Sequence, residues 1–190
     1  MSIGPDTSLE DLAAMVSDAL ATAGIAAVLC GGAVVSIYSH NAYQSYDLDF
    51  VTSEGMRGIE MVMTNLGFTR GKGRHFTHPE TRYSVEFPAG PVMIGDAPVS
   101  EVAQHQTEAG IVRLLTPTDA VKDRLAAFLH WNDRQGVEQA IQIIRRQTVN
   151  FDSVDRWARA EPGHASERYA QVCKTLREAA SAPARPKLHR

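Results

Sequence analysis

The chain has 190 residues, 44% hydrophobic and 22% charged, enough for one catalytic-sized domain with a buried core and a helical extension. A formal net charge of -3 and a pI near 6.2 exclude a global field that would draw in nucleic acid, so any polyanion has to be bound locally. No run reaches the roughly 18 apolar residues of a membrane span, and Met1 to Asp6 lack the basic and apolar regions of a signal peptide, so a cytoplasmic protein without a membrane partner is expected.

Ser8-Leu9-Glu10-Asp11 has capping-box spacing, and Leu9, Leu12, Met15, Val16 and Leu20 recur at helical intervals until Gly24. Ile25 to Cys30 is a continuous apolar run between a Gly stop and the Gly31-Gly32 pair, which predicts a buried strand. Ala33 to Ser39 reads as a short helix, and His40 to Ser45 as a polar loop. Tyr46 to Thr52 follows as a strand in which Leu48 and Phe50 alternate with Asp47 and Asp49.

Met56 to Leu66 is helical, and Phe68 to Phe87 alternates around Gly71, Gly73 and Pro79 as a meander does, its last strand carrying Glu86. A Pro/Gly-rich link leads to a hairpin of Val99–Gln106 with Ile111–Leu115. Thr116-Pro117-Thr118-Asp119 then supplies an N-cap hydroxyl, Pro at the first helical position and an acid at N3. A second helix carries Val137, Ile141 and Ile144, and two more run around Val154–Trp157 and Tyr169–Leu176.

This order predicts an α+β fold: a catalytic core over residues 1–115, a helical part over 116–180 packed on it, a cleft between them, and a disordered tail over 181–190. Cys30 and Cys173 read as free, buried thiols. Trp131 and Trp157 read as packing residues, and His130 as a helix-face packing residue.

Residues two apart on a strand point the same way, about 6.6 Å apart at Cα, so Asp47 and Asp49 can reach one divalent ion or bridge two. Two bare carboxylates this close repel unless a cation neutralises them. An all-oxygen set suits Mg²⁺, with Mn²⁺ as a substitute. Mg²⁺ takes one or two protein carboxylates and completes its shell with water and phosphate. Glu86, on a neighbouring strand, can join the metal set or take the proton of an attacking hydroxyl.

Gly31-Gly32, between a strand and a helix, lets backbone N–H groups approach a phosphate. Lys122, Ala126, His130 and Asp133 form one helix stripe, which makes Lys122 the phosphate cation expected at the cleft, whereas Arg124 points differently and reads as a solvated charge. Gly71-Lys72-Gly73-Arg74 reads as a hairpin turn. His75 and His78 fall on opposite strand faces, which argues against zinc.

Cys30-Gly31-Gly32-Ala33, Ser45-Tyr46-Asp47-Leu48-Asp49-Phe50 and Val85-Glu86-Phe87 together resemble the nucleotidyltransferase superfamily with the polymerase-β-type core. Within it, Gly31-Gly32-Ala33 with Tyr38 and Ser45 most resembles the branch of abortive-infection type toxins of toxin–antitoxin pairs and related bacterial proteins. The resemblance implies a mixed sheet flanked by helices. It places the triphosphate and metal on Gly31, Gly32, Ser45, Asp47, Asp49 and Glu86, with Lys122 as the lysine of the following helix.

The implied reaction is transfer of a nucleoside monophosphate from a nucleoside triphosphate to a hydroxyl of RNA, protein or a small molecule. The chain departs from the branch pattern at Gly32, where a Ser is usual, and at Tyr43-Gln44, where an Arg is usual. These departures support a second expectation, a weakly catalytic regulatory partner of another protein on the same fold.

Overall fold

A computed structural model describes residues 2–182. In chain order the elements are α1 (Leu9–Thr22), β1 (Val28–Cys30), α2 (Gly31–Tyr38), β2 (Asp47–Val51), α3 (Met56–Asn65), β3 (Thr69–Arg70), β4 (His75–Thr77) and β5 (Ser84–Glu86). They continue with β6 (Met93–Ile94), β7 (Ala97–Pro98), β8 (Val102–Thr107), β9 (Gly110–Leu115), α4 (Pro117–Trp131), α5 (Arg134–Ile144), α6 (Phe151–Ala158) and α7 (Glu167–Ser181). The expected tail lies outside the described residues except for its first two, and Ser181 is the last residue of α7. No described helix is long and apolar enough to cross a membrane.

Local chemistry accounts for the element ends. The Ser8 side chain accepts from the Asp11 amide at the start of α1, and Thr116 accepts from Asp119 at the start of α4, with Pro117 in the first turn. Asp133, Asn150 and Ser166 cap α5, α6 and α7 in the same manner. Each cap satisfies an amide that a helix start leaves without an internal partner.

The strands form a mixed seven-stranded sheet in the order β3-β4-β5-β2-β1-β9-β8, in which β2 runs parallel to β5 and β1 parallel to β9. On β2 the alternation is plain: Leu48 and Phe50 are fully buried, Asp47 and Asp49 are not. Val85, Phe76 and Leu29 stand beside them in register and are equally buried, so one face of the central strands is core. α1 packs across β9, β8 and β1, while α2, α4 and α5 pack on one another, with α2 against β2.

Several expectations change. The strand expected from Ile25 begins only at Val28, because the Ile25 amide donates to the Leu20 carbonyl and finishes α1, while Thr52 Oγ1 takes the Ala26 carbonyl. The Pro/Gly-rich link folds as the β6–β7 ribbon, tied down by Trp157, whose indole N–H donates to the Ile94 carbonyl at 3.1 Å. Trp157 packs as expected, but Trp131 is 76% exposed, stranded on the last turn of α4 before Asn132 turns left-handed. His130 is paired across space with the buried Glu161 carboxylate at 2.7 Å, so it does more than pack. Cys30 is buried as a free thiol, and Cys173 is only half-buried.

Candidate active site

The register of the sheet assembles a row of side chains that are distant in sequence. Cys30 on β1 lies opposite Asp49, Asp49 lies beside Glu86 on β5, and Glu86 lies opposite His75 on β4. One step toward the start of β2, Asp47 lies beside Ser84, whose hydroxyl donates to the Asp47 carboxylate, and Ser84 lies opposite Thr77. Directly paired residues on neighbouring strands share a face with their Cβ atoms about 5 Å apart. The three predicted acids therefore stand on one face of the sheet, and Glu86 and Asp47 are exposed.

His75 completes the row on its far side, a placement that local spacing does not reveal because it turns on the β4–β5 register. His78 is elsewhere, packed against Phe68 and Gly67. Among the described residues, no three His, Cys, Asp or Glu side chains are gathered closely enough to hold a metal by themselves. The acids form an open pair with a third alongside, a donor set that fits an ion drawing the rest of its shell from phosphate and water.

Asp49 shows the electrostatic cost. Burial, then the charges of Glu86 and Asp47, push its carboxyl from 3.8 up to about 6, while Arg124 opposes them. Burial, with Asp123 and Asp49 nearby, pushes the Cys30 thiol well above the usual thiol range, so it is an inert neighbour of the acids.

The cation that α4 brings to bear on Asp49 is Arg124. Its Nη1 donates to Gln139 Oε1 at 3.0 Å and its Nε to Asp123 Oδ2 at 3.1 Å, so the expected solvated charge is a partnered, largely buried one. α5 folds back on α4 closely enough to present Gln139, which residue spacing on α4 alone does not reveal. Lys122 lies about 200° around the helix from Arg124. Its ammonium donates to Asp119 at 2.8 Å, and both side chains are mostly shielded.

Replacing Arg124 with Gln is expected to raise the Asp49 pKa further and to cost about 1–3 kcal/mol by leaving buried Gln139 unpartnered. Carboxyl-carbon NMR titration, alongside a denaturant melt, reads both effects. An unmoved Asp49 would remove Arg124 from the site.

The glycine pair meets the acids directly. Gly31 has φ +68°, and a Cβ there would lie 2.6 Å from Asp49 Oδ2. A Cβ on Gly32 would lie 3.0 Å from Ser45 Oγ and 3.4 Å from Tyr43. Ser45 thus fills the space that a Ser at position 32 would need, which accounts for the glycine there. The Ser45 amide donates to Ser36 Oγ at 2.9 Å, and its hydroxyl donates to the Asp47 carbonyl at 3.0 Å. Cys30, at the N-cap of α2, makes no side-chain bond to the helix. Gly31, Gly32, Ser45, Asp47, Asp49 and Glu86 therefore come together, and Arg124 joins them from α4.

Over 96% of its length this chain superposes, with a TM-score of 0.58 and 13% identity, on 96% of an antigenic nucleotidyltransferase-like protein from Paracoccidioides brasiliensis. The fold is of the nucleotidyltransferase type. The antibiotic-resistance factor ANT(2'')-Ia, in its solution structure, aligns with 90% of this chain and 97% of its own at 13% identity, with a TM-score of 0.49. No described protein family matches the sequence, and no curated protein matches it. On a nucleotidyltransferase-type fold, function has to be argued from the residues at the site.

Proposed function

We propose that this chain is a Mg²⁺-dependent nucleotidyltransferase, with Mn²⁺ as a substitute, that moves a nucleoside monophosphate from a nucleoside triphosphate to a hydroxyl of RNA, protein or a small molecule. The observation that carries the reading is the register that sets Glu86 beside Asp49 on the face that also holds Asp47. Asp47 and Asp49 would hold the metal, which supplies charge neutralisation at the phosphates. The raised pKa of Asp49 fits a carboxylate set whose repulsion a bound cation would relieve.

The remaining steps use this chain's own groups. Gly31, Gly32 and the start of α2 cradle the triphosphate tail, with Ser45 alongside. Arg124 offsets developing negative charge, and Lys122 is a second candidate once freed from Asp119. Glu86 takes the proton of the acceptor hydroxyl. The acceptor oxygen then bonds to the α-phosphorus as the bond to the bridging oxygen breaks, and pyrophosphate leaves.

In-line displacement sets attacking and leaving oxygens on opposite sides. With the tail at Gly31, the acceptor comes from the Glu86–His75 side of the row. A cytoplasmic toxin–antitoxin or defence role rests on the resemblance around Gly31-Gly32-Ala33 and Ser45 to Phe50.

Thermal unfolding with each of the four ribonucleoside triphosphates, with and without Mg²⁺, tests the reading, because a ligand at 100 times its Kd stabilises by about 2.7 kcal/mol. A Mg²⁺-dependent rise that is absent in Asp47→Asn/Asp49→Asn is the expected result. The glycine at position 32 and the lack of an Arg at 43–44 favour a second reading, a regulatory partner that binds another protein. Absence of a shift with every triphosphate would favour that one.

A further inference from the structure

The seven-stranded sheet ends differently on its two sides. At one end β3 is two residues long, and both Thr69 and Arg70 are exposed, with the Arg70 guanidinium on Glu60. At the other end β8 is six residues long, and among the described residues no strand pairs with its outer side. Short length, charge and Pro are devices that keep a sheet edge from pairing with another chain. β3 has the first two. Val102–Thr107 has none of them, since it carries no Lys, Arg, Asp, Glu or Pro.

The hairpin fixes which backbone groups face outward. Thr107 and Gly110 pair across the turn Glu108-Ala109, and the pair that closes a two-residue turn exchanges both of its hydrogen bonds. Bonded pairs recur at every second residue. Ala103, His105 and Thr107 therefore direct their N–H and C=O groups to β9, and Val102, Gln104 and Gln106 direct theirs to the open side. The same phase holds on β9, where the Arg113 amide points away from β8 and donates to Ser17 Oγ at 3.0 Å. Val102, Gln104 and Gln106 are also the residues of β8 whose side chains are exposed.

An edge that presents donors and acceptors at Val102, Gln104 and Gln106 is complementary to itself. When a second copy approaches antiparallel about a two-fold axis through Gln104, that residue meets its own counterpart, and Val102 meets the second copy's Gln106. Every outward group on these residues is then paired, whereas sliding the copies in either direction leaves an end residue beyond the other strand. The α1 side of the seam fits as well. His105 comes to lie opposite the second copy's Ala103, whose methyl group leaves room for the imidazole. His105 is paired with Glu10 of α1, and both are partly exposed. The axis sets the second copy's Glu10–His105 pair head to tail with the first, the attractive arrangement of two dipoles.

We infer that β8 is the seam of a homodimer, in which two copies pair edge to edge about Gln104 and their sheets join into one. The inference does not depend on nucleotide binding, so either reading can fail alone. A seam one strand wide belongs with the small interfaces, below about 1,200 Å² of buried surface, and the expected dissociation constant is about 10–100 µM.

Sedimentation velocity of the full chain from about 1 µM to about 500 µM is expected to show the mass rising from 20.7 kDa toward twice that value. Gln104→Pro removes the N–H at the axis and spares the β8–β9 ladder, because Pro is tolerated on an edge strand where the N–H faces outward. It should weaken the dimer at least about tenfold, through loss of the bond that Gln104 donates in each copy. Its thermal unfolding at low concentration should match the wild type. Val102→Lys/Gln106→Lys sets like charges opposite each other across the seam and should abolish the dimer. Val102→Lys/Gln106→Glu alters the same positions but sets opposite charges there, and should retain it. A chain that stays monomeric at every concentration, a dimer that survives Gln104→Pro, or equal behaviour of the two double variants would overturn the inference.

Discussion

Asp49→Asn is expected to make the protein more stable while abolishing Mg²⁺-dependent nucleotide binding. Burial, Glu86 and Asp47 hold the Asp49 carboxyl at about 6, against 3.8 in an ordinary setting. Between about pH 4 and pH 6 the folded state therefore keeps a proton that the unfolded chain releases, so stability falls as pH rises through that window. Above it the full cost of the charged form is in place, at most roughly 3 kcal/mol and about half that once water screens the partly exposed carboxylate.

Asparagine carries no such charge. Denaturant melts at pH 4 and pH 7.5 should show little difference between wild type and variant at the lower pH and a gain of about 1–2 kcal/mol for the variant at the higher one. Mg²⁺ at pH 7.5 should then stabilise the wild type alone. If the difference between the two proteins is the same at both pH values, the acids are not in conflict and the metal proposal loses its physical motive.

Gly31→Ala attacks the same carboxylate from beneath. The left-handed backbone costs an alanine about 1–2 kcal/mol, and the new Cβ would lie 2.6 Å from Asp49 Oδ2, so the carboxylate has to turn away. A loss of about 2–3 kcal/mol and of the nucleotide-dependent thermal shift is expected. Gly32→Ala, whose Cβ meets Ser45 Oγ at 3.0 Å, should be milder. A double-mutant cycle with Asp49→Ala checks the cause, because removing the crowded carboxylate should make the pair cost less than the sum of the single changes. Strict additivity would mean that the glycine serves the backbone alone.

The two aspartates were legible in the sequence because a strand has a period of two, and Leu48 and Phe50 fixed which residues face the core. Helix starts were legible because Ser8 and Thr116 carry their capping chemistry within three residues. Parallel pairing of β2 with β5 was not, since nothing local dictates which strand lies beside which, and that pairing is what puts Glu86 next to Asp49. His75 was missed for the same reason.

Arg124 was misjudged because a helical wheel gives angles between residues but not the direction of the sheet. Its partner Gln139 belongs to another helix. Trp131 was misjudged because size suggests packing, whereas among the described residues its indole stands 76% exposed on the last turn of α4.

The position of β1 between β2 and β9 has a consequence for how the protein comes into being. A nascent chain that has emerged only as far as Pro98 already holds Asp47, Asp49 and Glu86. In that chain β1 has no β9 on its far side, because the partner of Leu29 is Leu114. Until that segment emerges, an apolar strand edge stays open to wrong pairings. Arg124 comes later still, so the acids gain their counter-charge only after the first turns of α4 have left the ribosome.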